Sequence, residues 1–242
     1  MDADAIRRAV AQVYDRTGRE GSRGPAGMDL PTGAALAREL GYPGPDLAGV
    51  PGEILDAFVG VTALAPEVGD PGAVADLGCG AGLDAWILAA RGHRVVAVDA
   101  SGAMLARLRR CLARCPGLPL HGVLAELPRV PLRDGCVDWV LMNGAANLVP
   151  DRPRLLAEAL RVLRPGGRLR TGDLVALEPL PPELRALPEA WAWCLGGAAG
   201  PDEWERALRL AGFAEPAVEI VEPAAPVARA VIRARRPGRA AR

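Results

Sequence analysis

An acidic residue followed by three glycines is the feature of this 242-residue sequence with the clearest chemical meaning. Asp76 closes a short apolar run, and Gly78, Gly80 and Gly82 come next, before a helical pattern over residues 84–90. This order predicts a strand, a tight turn and a helix. Glycine permits backbone conformations that other residues avoid, so a ligand can lie directly against the main chain at the helix N-terminus.

A second acidic residue follows at the spacing expected of a nucleoside site. The apolar run 94–98 ends in Asp99, and an acidic side chain about 20 residues beyond the first glycine is placed to bind ribose hydroxyls in Rossmann-type domains. A pyrophosphate fits less well, because the carboxylate of Asp76 would repel phosphates and attract an ammonium group. The glycine spacing also differs from the G-x-G-x-x-G of dinucleotide enzymes.

The D-x-G-x-G-x-G pattern resembles motif I of the class I S-adenosylmethionine (SAM) methyltransferases. Three further segments resemble that family in order and spacing, namely residues 96–101, 131–140 and 161–169. The resemblance implies an α/β, Rossmann-like class I methyltransferase fold. It also implies S-adenosyl-L-methionine as the cofactor and a small-molecule acceptor as the partner.

The resemblance assigns cofactor-binding roles to individual residues, in addition to the three glycines. Asp76 accepts a hydrogen bond from the methionine ammonium, or alternatively only caps the turn. Asp99 holds both ribose hydroxyls, with Ala100 beside it. Glu126 stands where family members place a residue near the adenine amino group. Alternatively, it is only a surface acid in a loop. Asn143, at the end of the fourth strand, is also assigned to cofactor binding.

Strands and helices alternate between residues 73 and 178, which predicts a mostly parallel sheet with crossover helices. Five strands are expected near residues 73–77, 94–98, 119–124, 137–142 and 168–175. Two later apolar runs, 217–221 and 227–233, predict an antiparallel C-terminal strand pair. Helices are expected before that pair, near residues 182–196 and 201–212.

Residues 1–66 are expected to form an N-terminal helical cap or lid over a SAM-binding domain of residues 67–242. Helical segments are predicted at residues 3–15, 32–41 and 51–65. The stretch 17–31 between the first two is rich in Gly, Ser and Arg, and we expect a loop or lid there.

Composition argues against several functional classes. Basic and acidic residues number 29 each, so no net field attracts nucleic acid, and the arginines from Arg233 to Arg242 are interpreted as a solvated end. No run approaches the roughly 20 apolar residues of a membrane span or forms a signal core. A cytoplasmic protein without nucleic-acid or membrane partners is expected.

The five cysteines, Cys111 and Cys115 included, lack metal-ligand or disulfide spacing, which predicts reduced thiols and no metal site. The sequence leaves the oligomeric state open.

The flanking segments resemble one branch of the superfamily, the arsenite methyltransferases. The resemblance is carried by residues 13–14, 40–51, 80–90, 143–151, 191–197 and 211–213. That branch binds As(III) through cysteine thiolates. Here residues 1–78 contain no cysteine, Gly144 follows the fourth-strand asparagine, and only Cys194 remains in the predicted late helix. One thiolate cannot supply the three sulfur ligands that a soft trivalent metalloid prefers.

We therefore predict a methyltransferase acting on a small organic acceptor, in secondary metabolism. Tyr14 and Asn143 are the candidate catalytic residues, and Tyr14, Asn147, Trp191 and Cys194 the candidate substrate-binding residues. Both asparagines follow the fourth strand, at the sheet edge where open α/β proteins bind ligands. Packing is the alternative role of Tyr14 and Trp191. Three other functions stay open: a cyclisation or elimination with SAM bound, SAM or partner binding without catalysis, and arsenite methylation.

Overall fold

The computed structural model describes residues 2–22 and 31–238, and the centre of this described part is a seven-stranded sheet. The strands are β1 (Ala73–Leu77), β2 (Arg94–Asp99), β3 (Leu120–Leu124), β4 (Val137–Asn143), β5 (Leu163–Ala176), β6 (Ala214–Glu222) and β7 (Val227–Arg235). Their order across the sheet is β3-β2-β1-β4-β5-β7-β6. The first five are parallel, and β7 runs antiparallel to β5 and β6. The predicted fold class is confirmed, antiparallel pair included.

The register of the parallel strands brings the predicted site residues to one edge of the sheet. Asp76 of β1 lies beside Ala97 of β2 and Leu141 of β4. Asp99 and Asn143 are the last residues of β2 and β4. All three polar residues therefore meet at the carboxyl ends of adjacent strands, where open α/β sheets hold their ligands.

Helices lie on both faces of the sheet and in the N-terminal cap. They are α1 (Ala3–Glu20), α2 (Gly33–Glu39), α3 (Gly44–Ala48), α4 (Gly52–Leu55), α5 (Leu83–Ala90), α6 (Gly102–Leu112), α7 (Arg152–Val162), α8 (Pro182–Ala186), α9 (Pro188–Trp191) and α10 (Pro201–Leu210). Two hydrophobic cores result. One joins α5 and α6 to the cap, and the other lies under α7 and α10. The predicted cap therefore shares its core with the sheet domain, and a boundary at residue 66 stays a prediction.

The first helix is longer than the sequence pattern indicates. The loop expected from Thr17 begins later, because α1 continues to Glu20. Gly18 lies against α6 so closely that a Cβ there would be 2.6 Å from the backbone nitrogen of Met104. Close packing thus explains a glycine that the sequence suggested was a loop residue. The central part of the predicted lid, residues 23–30, lies outside the described residues.

Two predicted helices are interrupted. In place of the expected helix 51–65 the structure has two short elements, α4 and the 3₁₀ turn Ala65–Glu67. The backbone between them makes hydrogen bonds outside a helix: the Phe58 carbonyl accepts from the Gly33 N–H at 3.0 Å. The expected helix 182–196 is divided into α8 and α9, since Pro188 follows an extended Leu187. Cys194 lies beyond α9 with φ of 63°, so the prediction that a late helix carries it is wrong.

The predicted solvated arginine end is also partly incorporated into the fold. Arg233 lies in β7 and pairs with Glu219 of β6 at 3.0 Å. Arg236 donates to the carbonyls of Leu160 and Leu163, at 2.9 and 2.5 Å, and so binds the C-terminal end of α7. None of the helices described is long and apolar enough to cross a lipid bilayer.

Candidate active site

The glycine loop after β1 forms the floor of a cleft at the carboxyl ends of the parallel strands. Gly78, Gly80 and Gly82 have φ values of 75°, 56° and 92°, a region that disfavours side chains. A Cβ at Gly78 would overlap the methyl group of Ala145. The backbone N–H of Gly78 donates to the Val98 carbonyl at 2.8 Å, which ties the loop to β2.

Asp99 holds the same loop from the neighbouring strand. Its carboxylate accepts hydrogen bonds from the backbone N–H groups of Gly80 at 2.7 Å and Ser101 at 2.8 Å, one on each oxygen. Burial raises the pKa of this carboxyl, while those donors act in the opposite direction. Each oxygen keeps a second lone-pair direction, and Asp99 and Ala100 both line the cleft. The predicted role at a ribose stays compatible with this geometry.

Two more buried carboxyl groups lie beside the loop. Asp76 lines the cleft and is only 2% exposed, and burial together with the charges of Asp84 and Asp99 raises its pKa. Burial likewise raises the pKa of Asp84, a residue that the sequence analysis missed. A lone acid in the otherwise apolar first turn of α5 was the available signal.

Asp84 and Asn143 connect the cap to the strand ends. Asp84 accepts from the Tyr42 hydroxyl at 2.8 Å, from the Ala65 backbone at 2.9 Å and from the Asn143 amide at 2.8 Å. The Asn143 oxygen accepts from the Val61 backbone at 2.8 Å. Asn143 lines the cleft, but its amide is engaged on both sides. We read this as a positioning role, and the predicted catalytic and cofactor contacts stay predictions.

Helix α1 forms the roof of the cleft. Arg7, Val10, Ala11 and Tyr14 line it, at the i, i+3, i+4, i+7 spacing of one helix face. The Tyr14 hydroxyl donates to the Ala192 carbonyl at 3.4 Å, and burial raises the pKa of the phenol, with smaller contributions from nearby acidic groups. Tyr14 is therefore a protonated donor rather than a base at neutral pH. Its catalytic and substrate-binding roles stay predictions.

The cleft is mainly apolar away from the glycine loop, and it opens to solvent at its mouth. Its further walls come from residues 57–60, the segment predicted as helix, and from residues 148–150 after β4. Glu126 lines it at an exposed position, so its predicted place beside an adenine remains possible geometrically.

Three predicted substrate residues do not line this cleft. Asn147 is fully buried, and its amide donates to the Leu174 carbonyl at 2.7 Å. Trp191 donates its indole N–H to the Arg185 carbonyl at 3.1 Å. Cys194 is buried one layer behind the wall, where its thiol contacts the carbonyl of Gly144 at 3.5 Å.

Behind this wall lies a second acid that the sequence analysis missed. Asp173 of β5 is fully buried, and burial raises its pKa to about 6, opposed by backbone donors at Asn147 and Leu174. It neighbours Cys194, and burial, together with the charge of Asp173 and a hydrogen bond to it, raises the pKa of that thiol. The pair supports the loop after β4 rather than contacting a ligand.

The cleft fits SAM by charge and by shape. The buried carboxyl groups of Asp76 and Asp84 and the partly buried one of Asp99 line it. Arg7, at its mouth and paired with Asp4, is the only cationic side chain among the described lining residues. Such a site favours a ligand with an ammonium and a sulfonium over a polyphosphate. The glycine cradle, which side chains would fill, admits a ligand against the backbone. When bound, SAM would supply an activated methyl group.

Comparisons with known proteins agree with this geometry. Residues 75–171 match the family model described as a methyltransferase domain. An arsenite methyltransferase from Halobacterium salinarum is 33% identical, over 78% of this chain and 49% of its own length. The chain spans about half the length of the curated arsenite methyltransferases that it matches.

Solved structures show the same fold. An arsenic(III) S-adenosylmethionine methyltransferase from Chlamydomonas reinhardtii superposes with a TM-score of 0.60 at 29% identity, covering 79% of this chain and 71% of that one. The 1,6-didemethyltoxoflavin-N1-methyltransferase of Burkholderia thailandensis, solved with its acceptor and S-adenosylhomocysteine, gives a TM-score of 0.55 at 26% identity over 72% and 75%. Residues 75–171, with the glycine loop and the paired acids, therefore form a methyltransferase domain, and the fold around them is that of the class I SAM-dependent methyltransferases.

Proposed function

We propose that this protein transfers the methyl group of SAM to a small organic acceptor of secondary metabolism. The observation that carries the proposal is a single cleft with a SAM-compatible floor, free space beyond it, and no cluster of thiols. All five cysteines lie within the described residues and are free, and no group of three metal-ligating side chains occurs there. The toxoflavin-type relative, whose acceptor is a small organic molecule, supports this acceptor class.

The chain contributes positioning more than acid–base chemistry. In our proposal Asp99 and Asp76 hold the ribose and ammonium ends of SAM, while Asn143 and Asp84 fix the cleft wall. SAM held there would supply an activated methyl group, and its transfer would leave S-adenosylhomocysteine and the methylated acceptor, with any acceptor proton released to solvent. Orientation of an already activated methyl group supplies much of the rate in such a reaction.

Arsenite is a weaker candidate despite the named relatives. As(III) binding needs convergent thiolates. Cys194 lies behind the cleft wall, Cys79 is within the glycine loop, and the other three thiols lie elsewhere on the structure. The free thiols also motivate our proposal of a cytoplasmic location.

Mass spectrometry with SAM carrying a trideuterated methyl group tests the function. We expect an acceptor product that contains the label, together with equimolar S-adenosylhomocysteine. A rearranged product without the label would instead support a repurposed, non-methylating enzyme. SAM binding without any product from a broad panel of phenols, amines and thiols would favour a binding protein.

A further inference from the structure

We call the part of the cleft beyond the glycine loop its acceptor half. The walls of this half are mainly apolar. On the roof, Val10 and Tyr14 face inward from α1. Phe58 and Val59 of the loop 57–60 and Val149 after β4 line the same space. The only hydroxyl among these five, that of Tyr14, is already directed at the Ala192 carbonyl.

Charges in the cleft are confined to its cofactor side and its mouth. The carboxylates of Asp84 and Asp99 accept backbone or side-chain donors on both oxygens. Arg7, at the mouth, forms an ion pair with Asp4. Glu126 is exposed. A charged group carried into the apolar half would find no partner among the described lining residues, and burying an unpaired charge is strongly unfavourable.

We propose that the acceptor is an uncharged, largely apolar molecule bound against Val10, Tyr14, Phe58, Val59 and Val149. This inference rests on the proposed function, because it takes the glycine-loop side as the SAM site. It excludes the acceptor classes that carry a permanent charge at the reacting end, such as phosphorylated amines, amino acids and dicarboxylates. The apolar contacts supply affinity for such a molecule.

Three naphthalene probes of similar size test this charge preference. Calorimetry would measure binding of 2-naphthol, 2-naphthoate and 2-naphthylmethylammonium to the full chain saturated with S-adenosylhomocysteine. We expect the neutral naphthol to bind at least about tenfold more tightly than either ion. Equal or tighter binding of an ion, or no measurable naphthol binding, would overturn the inference.

Variants locate the binding in the apolar half. Val149→Asp and, independently, Val10→Asp should weaken naphthol binding by about tenfold or more and leave the affinity for S-adenosylhomocysteine unchanged. Gln12→Asp is the matched control, because Gln12 is an exposed residue of α1 outside the cleft lining. Unchanged naphthol binding in both cleft variants would contradict the assignment. If the wild type does not bind S-adenosylhomocysteine at all, the proposed function itself fails and the inference with it.

Discussion

The two halves of the cleft are built in different ways. The cofactor half consists of one continuous strand–loop–helix unit and the end of the next strand, so its glycines and its two acids lie close in sequence. The acceptor half is assembled from α1, the loop 57–60 and the segment after β4, which are far apart in the chain. The shape of the cofactor half follows from local geometry, whereas that of the acceptor half depends on how the cap packs. Function can therefore be preserved in one half while the other changes.

The largest expected effect lies in the cofactor half. Asp99→Ala removes a carboxylate proposed to bind two ribose hydroxyls, and charge-assisted hydrogen bonds contribute about 1.5–3 kcal/mol each. We expect SAM affinity to fall at least about tenfold, with naphthol binding retained. Calorimetry on the folded variant measures both, and Asp70→Ala, at an exposed acid, is the control. Unaltered SAM affinity would remove Asp99 from the cofactor site.

A second variant distinguishes positioning from catalysis at Asn143. Asn143→Ala leaves Asp84 and the backbone N–H of Val61 without their partner. Loss of buried partners costs roughly 1–3 kcal/mol each, so urea denaturation should show a free energy of unfolding lower by about 2–3 kcal/mol. If stability is unchanged while methyl transfer is abolished, the direct catalytic role is correct instead.

The connection between the halves can be weakened at Arg107. This buried guanidinium donates to the carbonyls of Gly18 and Arg19 at the end of α1, and of Glu53 in α4. Arg107→Met should lower stability by about 1–2 kcal/mol and accelerate hydrogen exchange at the end of α1. Arg109→Met, at an exposed position of the same helix, is the control. We expect naphthol affinity to fall more than SAM affinity; the reverse order would mean that α1 serves the cofactor half.

The smallest effect concerns Asp173, behind the acceptor wall. Burial raises its pKa from 3.8 to about 6, so the folded state keeps a proton that the unfolded state releases as pH rises from about 4 to about 6. Lowering the pH through 6 should therefore stabilise the fold by on the order of 1 kcal/mol between about pH 7 and pH 5. Denaturation of the wild type and Asp173→Asn tests this: the gain should be missing from the variant. A parallel pH profile in both proteins would mean that Asp173 does not titrate there.

The same difference explains what the sequence could predict. The sheet, its antiparallel end and the positions of Asp76 and Asp99 follow from alternating apolar runs and from glycines whose conformation has few alternatives. The placement of Trp191 and Cys194 outside the cleft does not, because it depends on the breaks at Pro188 and beyond α9. That of Asn147 depends on its contact with Leu174 of β5. Asp84 was missed because its role is a bond to the cap, which only tertiary packing reveals.

Arsenic speciation most directly tests the central claim that the cofactor half is retained while the acceptor half no longer serves arsenite. The purified protein, shown to bind SAM, would be incubated with SAM, arsenite and glutathione, and methylated arsenic measured by chromatography with mass detection. We expect no methylarsenicals from the wild type, and the same result for Cys194→Ser. Robust methylarsenical formation by the wild type that Cys194→Ser abolishes would contradict the acceptor assignment.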